Sequence, residues 1–195
     1  MSAAVTIAAA GPEHLSGLEA LFEAVGTACY CRFFHFGGTN NEWLARCSDG
    51  QGENRREFAE ALAAGSDEAR GVVALAPDVV GWLKVAPVAA VTKAYERRPY
   101  KGLPCFAGDR DGVFLIGCAV VHPDHRRRGV ATALVAGAVE LAPAWGARAL
   151  EALPRRSKEP LRDEELWTGP ASAFTKNGFV EVHSFEPYPV LRRAL

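Results

Sequence analysis

The residues of this 195-residue chain best suited to chemistry gather between Val113 and Leu134, VFLIGCAVVHPDHRRRGVATAL. An unbroken apolar run, Val113 to Val121, leads to Pro123 and three arginines, Arg126, Arg127 and Arg128. Gly129 then opens a second apolar segment with helical spacing. This is the pattern of a buried strand, a basic turn and the start of a helix. Its chemistry is anion binding. A helix N-terminus leaves four backbone N–H groups without intrahelical partners, and the macrodipole adds about half a positive charge there. Gly129 lets a ligand approach the backbone closely, and Ala131 keeps the next turn narrow. A diphosphate suits such a turn. The other common phosphate loops, G-x-x-x-x-G-K-[ST] and a G-x-G-x-x-G after a strand, are absent from the sequence.

Arg126-x-x-Gly129-x-Ala131, with the strand and Pro123 before it, resembles the R/Q-x-x-G-x-G/A motif of the GNAT superfamily, the acyl-CoA-dependent N-acetyltransferases. The resemblance implies that Arg126, Arg127, Arg128, Gly129, Val130 and Ala131 hold the pyrophosphate of acetyl-CoA. It also implies that Ala119, Val120 and Val121 offer backbone groups to the pantetheine arm. A second stretch, Ala173-Phe174-Thr175-Lys176-Asn177-Gly178-Phe179, resembles the family's Y-x-K-x-G-F ending of its last conserved helix. The likeness covers residues 70 to 185 well, and the N-terminal third only by order of elements. It implies direct attack of an amine on the thioester, without an acyl-enzyme. The family often places a tyrosine general acid where this chain has Phe174, and a phenyl ring cannot donate a proton. Ser172, Thr175 and Tyr188 are the hydroxyls that the sequence offers instead.

A base or relay must take a proton from the attacking amine. Glu151, the one charged residue within Leu150 to Leu153, is the first candidate as base or amine binder. A half-buried carboxylate there can have a raised pKa. The alternative is a solvent-facing position. The segment Thr27 to Ser48 is dense in aromatics, and Tyr30, Phe34 and Trp43 are candidates to line the acceptor pocket. Core packing is the competing reading for each. The same segment carries Cys29, Cys31, His35 and Cys47. These support an alternative: a non-catalytic acyl-CoA-binding module, or one that binds metal or senses oxidant. Their spacing is not that of a zinc finger, so no metal ligands are assigned. Cys118, mid-strand, reads as a buried inert thiol. His122 and His125 flank the phosphate turn.

Periodicity supplies the elements that position these residues. Ala4 to Ala9 reads as a strand, Leu15 to Val25 as a helix stopped by Gly26, and Asn54 to Ala64 as a helix capped by Asn54. Gly71 to Ala76 and Val79 to Ala86 read as a hairpin. Pro87 to Asp111 is a long loop, of the kind that often carries function. A helix to Leu141, a strand over Arg148 to Leu153, a charged loop, a helix ending at Gly178 and two closing strands complete the chain. The expected fold is α/β (α+β), a GNAT-like mixed, mostly antiparallel sheet of about six to seven strands flanked by helices. One domain is expected over 1-195, with 27-66 as acceptor-site segment and 113-142 as acyl-CoA-binding core.

A net charge of −1 argues against bulk attraction to nucleic acid or to an anionic membrane. No apolar run is long enough to span a bilayer. Five cysteines, with no basic stretch of a signal peptide before the first apolar residues, suggest reduced thiols in the cytoplasm. The expected partner is a small-molecule amine. Members of the family are often dimers, so a homodimer is one state the resemblance allows.

Overall fold

Seven strands join in one sheet in the computed structural model, which describes residues 5–195. They are β1 (Thr6–Ala9), β2 (Gly71–Leu75), β3 (Val79–Pro87), β4 (Val113–Val121), β5 (Ala149–Ala152), β6 (Val180–His183) and β7 (Val190–Ala194). Their order is β1-β2-β3-β4-β5-β7-β6. Only β4 and β5 run parallel; every other neighbouring pair is antiparallel. Ala4, where the sequence suggests that the first strand begins, lies outside the described residues.

Five helices flank the sheet: α1 (Leu15–Val25), α2 (Asn40–Asp49), α3 (Gln51–Ala63), α4 (Val130–Leu141) and α5 (Ala171–Lys176). β3 is buried along nearly all its length and β2 almost as fully, because helices cover both faces; hence their near-continuous apolar sequences. On one face Leu18, Leu21 and Phe22 of α1 and Phe58 of α3 pack on Trp82. On the other, Val130, Leu134, Val135 and Ala138 of α4 and Phe174 of α5 pack on Leu83 and Ile116. Trp82 is packing, as its setting in the hairpin implies; its indole also donates to Cys31 Sγ at 3.2 Å.

Three local details differ from expectation. α2 emerges from the aromatic segment. Thr39 caps it, and the Glu42 carboxylate accepts the Thr39 amide at 2.7 Å, which closes a reciprocal capping box. α3 starts before Asn54, so Asn54 does not cap it. Its fully buried amide instead donates to the Ala28 carbonyl at 2.9 Å and ties the helix to the loop after α1. The connection from β3 to β4 holds three single 3-10 turns, Val88–Ala90, Thr92–Ala94 and Pro104–Phe106. Among the described residues no helix is long and apolar enough to cross a membrane.

The sheet opens at its centre. β4 pairs with β5 only from Val113 to Ile116, opposite Ala149 to Ala152. Beyond that point β4 runs on to Val121 while β5 has ended, so the two strands part. β4 also bulges there. Leu83 faces Ala119 and Val85 faces Ile116, which sets Gly117 and Cys118 of β4 against Lys84 alone.

Candidate active site

The basic turn sits at the open end of this gap. Gly129 caps α4 with a left-handed backbone, φ 83°, and the first helical bond runs from the Ala133 amide to the Gly129 carbonyl at 3.0 Å. The amides of the first turn therefore face out of the helix end. Arg127 is left-handed too, at φ 58°. A side chain at 129 meets no neighbour, so glycine is required there by conformation, not by space. Arg127 and Arg128 are exposed, whereas Arg126 folds back. Its Nε donates to the Val121 carbonyl at 3.1 Å, and its Nη1 pairs with Asp163 at 2.9 Å. Val130 is core through its side chain, and Ala131 is half-buried. The structure thus brings Ala119, Val120, Val121, Arg126, Arg127, Arg128, Gly129, Val130 and Ala131 to one edge of the gap.

One of these groups is already engaged. The Ala119 amide, which points away from β3 into the gap, donates to the Trp167 carbonyl at 2.7 Å. Together with the Arg126–Asp163 pair, this bond lays the segment before α5 across the opening.

The acceptor candidates separate. Tyr30 packs on Phe22, with ring centroids 4.9 Å apart, and on Phe58. Trp43 packs on Phe33 at 5.5 Å and Phe36 at 5.3 Å. Both are core side chains, and neither lines a cavity at the gap. Phe34 alone reaches the site. A Cβ added at Gly117 would stand 3.1 Å from its ring, so the bulge needs glycine to let Phe34 approach. The Phe34 ring also lies 6.0 Å from Trp167. That pair divides two cavities. One, about 460 Å³, lies between Phe34, His35, Glu68, Lys93 and Glu96. The other, about 210 Å³, is lined by Arg97, Tyr100, Leu153, Arg155, Glu164, Glu165, Trp167, Thr168 and Tyr188, beside the end of β5.

Glu151 lies fully buried on β5, not at a solvent-facing position. Its carboxylate accepts Tyr95 Oη at 2.8 Å, Arg110 Nη2 at 2.7 Å and Arg192 Nε at 2.8 Å. Burial and this carboxylate together push the Tyr95 phenol well above its usual range. With its oxygens engaged by three side chains, Glu151 in this geometry serves as an anchor. It fastens the β3–β4 connection to the sheet at two points, Tyr95 and Arg110. This geometry favours an anchor over the base or amine binder expected of Glu151.

Cys29, Cys31 and Cys47 stay near one another: burial, then Cys31 and Cys47, push the Cys29 thiol up. Cys31 takes the Trp82 N–H, Cys47 lies beside Asn54, and His35 lines the larger cavity. Among the described residues no group of three or more His, Cys, Asp or Glu is placed to hold a metal ion. All five cysteines are free thiols. Cys118 in the bulge is buried; the neighbouring Cys31 thiol, then burial, hold it well above the usual thiol range.

Phe174 is fully buried against Phe179, with centroids 5.4 Å apart. Of the hydroxyls that the sequence offers in its place, Thr175 bonds back to the Ala171 and Ser172 carbonyls and Ser172 is exposed. Only Tyr188 reaches the cavity. The residue that sequence reasoning passes over is Tyr100, buried in the β3–β4 connection. Its one signal is a tyrosine beside the arginines of Arg97-Arg98-Pro99.

Known proteins match this arrangement. The model of the acetyltransferase (GNAT) family matches residues 39–160. No curated protein sequence matches the chain. Among solved structures, the GNAT domain of S. lividans PAT superposes with a TM-score of 0.56 at 15% identity, covering 98% of this chain and 90% of that one. The PaiA N-acetyltransferase from Thermoplasma acidophilum in complex with coenzyme A superposes with a TM-score of 0.53 at 10% identity, covering 98% and 99%. A GNAT family acetyltransferase from Brucella melitensis in complex with acetyl-CoA gives 0.50 at 16% identity, covering 99% and 89%. At these identities the structural likeness is one of fold. The family match spans more than half of the chain, from α2 through the basic turn to the end of β5, and on that ground the chain belongs to the GNAT family of acetyltransferases, whose co-substrate is acetyl-CoA.

Proposed function

We propose that this chain is an N-acetyltransferase that moves the acetyl group of acetyl-CoA to a small-molecule primary amine by direct attack. The parting of β4 from β5 beside the left-handed turn at Gly129 carries the reading. The outward amides of α4 and the exposed Arg127 suit the pyrophosphate. The edge of β4 from Ala119 to Val121 suits the pantetheine arm, which takes the Ala119 amide from the Trp167 carbonyl as it enters. The thioester then lies near the bulge, and the cavity of about 210 Å³ beyond it suits a small amine. In-line placement of the two substrates supplies much of the acceleration. The free thiols suit a reducing cytoplasm.

Thermal unfolding with and without acetyl-CoA tests the donor site. Ligand at a hundred times its dissociation constant adds about 2.7 kcal/mol, a shift of roughly 5–10 °C for a chain of this size. The shift should shrink in Arg126→Ala. Thiol release from acetyl-CoA that depends on an added amine, across a panel of amines, tests the transfer. No shift with the wild-type protein means that the turn is architecture only.

A further inference from the structure

The smaller cavity contains a polar group that the fold leaves unsatisfied. Tyr100 is fully buried, it forms part of the cavity wall, and its buried hydroxyl has no hydrogen-bond partner among the described residues. A buried unpaired hydroxyl costs free energy, so its retention calls for a partner that arrives with a ligand. We propose that the Tyr100 hydroxyl is the donor that faces the sulfur of coenzyme A and protonates it as the thioester breaks. This rests on the acetyltransferase reading above and adds to it the acid that Phe174 cannot supply.

Four observations support a donor there. Leu153, which follows β5 directly, and Trp167, whose carbonyl holds the Ala119 amide, share the cavity with Tyr100. The phenol therefore stands where β4 and β5 part, opposite the side from which α5 would present its ring. The Arg97 guanidinium lies 5.6 Å from the Tyr100 ring and 5.6 Å from the Trp167 ring, a fixed positive charge beside any phenolate that forms. Burial pushes the phenol up to about 12, which keeps it protonated and a donor in the resting protein. The Glu151 cluster anchors the connection on both sides of Tyr100, through Tyr95 and Arg110.

The step balances without a further reagent. The amine nitrogen attacks the carbonyl carbon and the C–N bond forms. The C–S bond breaks, and its electron pair leaves on sulfur. Tyr100 gives its proton to that sulfur, the amine loses its proton to water, and water reprotonates the phenolate.

The test needs no knowledge of the amine. The thiol of bound coenzyme A is titrated by its thiolate ultraviolet absorbance, taken as the difference between complexes with coenzyme A and with desulfo-coenzyme A. This cancels the protein's own thiols. In the wild-type protein the bound thiol should titrate at least one pH unit below free coenzyme A. In Tyr100→Phe it should return to the free value while the dissociation constant of coenzyme A stays within about threefold. With an amine that the panel identifies, the same variant should lose about a hundredfold in kcat with little change in KM for acetyl-CoA. Equal titration in the wild-type protein and Tyr100→Phe overturns the inference, as does a loss of the shift in Tyr188→Phe alone. Failure of the wild-type protein to bind coenzyme A at all overturns the acetyltransferase reading, and this inference with it.

Discussion

Two buried polar centres involve the β3–β4 connection, and they are built in opposite ways. At Glu151 a carboxylate with no solvent exposure is met by Tyr95, Arg110 and Arg192. At Tyr100 a hydroxyl equally removed from solvent finds no hydrogen-bond partner among the described residues. Burial alone does not separate a structural group from a working one. The satisfied centre holds chain together, and the unsatisfied one keeps a donor ready for something that is not protein. A sequence reader looking for chemistry is drawn to the lone carboxylate on a strand, and the geometry draws attention to the phenol.

Opposite effects on stability would sharpen this contrast. Glu151→Ala leaves Arg110 and Arg192 without their shared partner, and breaking such a buried cluster from one side costs about 3–5 kcal/mol. A denaturant melt of this variant should show a loss of that size. A change of less than about 1 kcal/mol would dissolve the distinction.

His35 offers a second way to probe it, since its buried Nε2 also lacks a partner among the described residues. Burial first, then the charges of Lys84 and Arg32, push its ring down to about 4 from an ordinary 6.5, against a smaller opposing pull from Glu68. Between those two values the unfolded chain binds a proton that the folded chain refuses. Stability is therefore full above pH 6.5 and is lost as the pH falls toward 4. Melting temperature against pH should show this slope, and His35→Leu should flatten it.

Tyr100→Phe should run against Glu151→Ala in sign. Removal of a buried, unpartnered hydroxyl leaves the free protein about 1 kcal/mol more stable, measured by the same melts. If the variant is instead less stable by that amount, the hydroxyl has a partner within the fold and belongs with Glu151.

The smallest effect concerns the strap across the gap. Asp163 is half-exposed, so its pair with Arg126 is worth no more than about 1 kcal/mol. Asp163→Ala frees Arg126 for the pyrophosphate and should tighten acetyl-CoA by up to about fivefold in a calorimetric titration. Weaker binding would show that Asp163 shapes the turn itself.

Much of the fold is legible in the sequence because its signals are local. The Gly26 stop of α1 is found at φ 70°, and the strand, turn and helix from Val113 to Leu141 lie where the apolar pattern puts them. α2 carries a local signal too, the capping box Thr39-x-x-Glu42, but the aromatics around it point a reader toward a pocket. Tyr30, Phe34 and Trp43 show the boundary of such reading. One sequence segment supplies all three, yet two of them turn into core and one faces the gap.

Near neighbours along the chain were enough to specify the phosphate turn, the sheet strands and the family, since backbone conformation and apolar periodicity depend on little else. The standing of each polar side chain had to wait for the folded molecule. Arg110 and Arg192 each lie 41 residues from Glu151 in opposite directions, and no local pattern links them. Nor does any pattern mark Tyr100 as unpaired, because a missing partner is a property of everything packed around it. Charge and hydroxyl groups take their roles from desolvation and from partners brought in across the sheet, and these exist only once the chain has closed on itself.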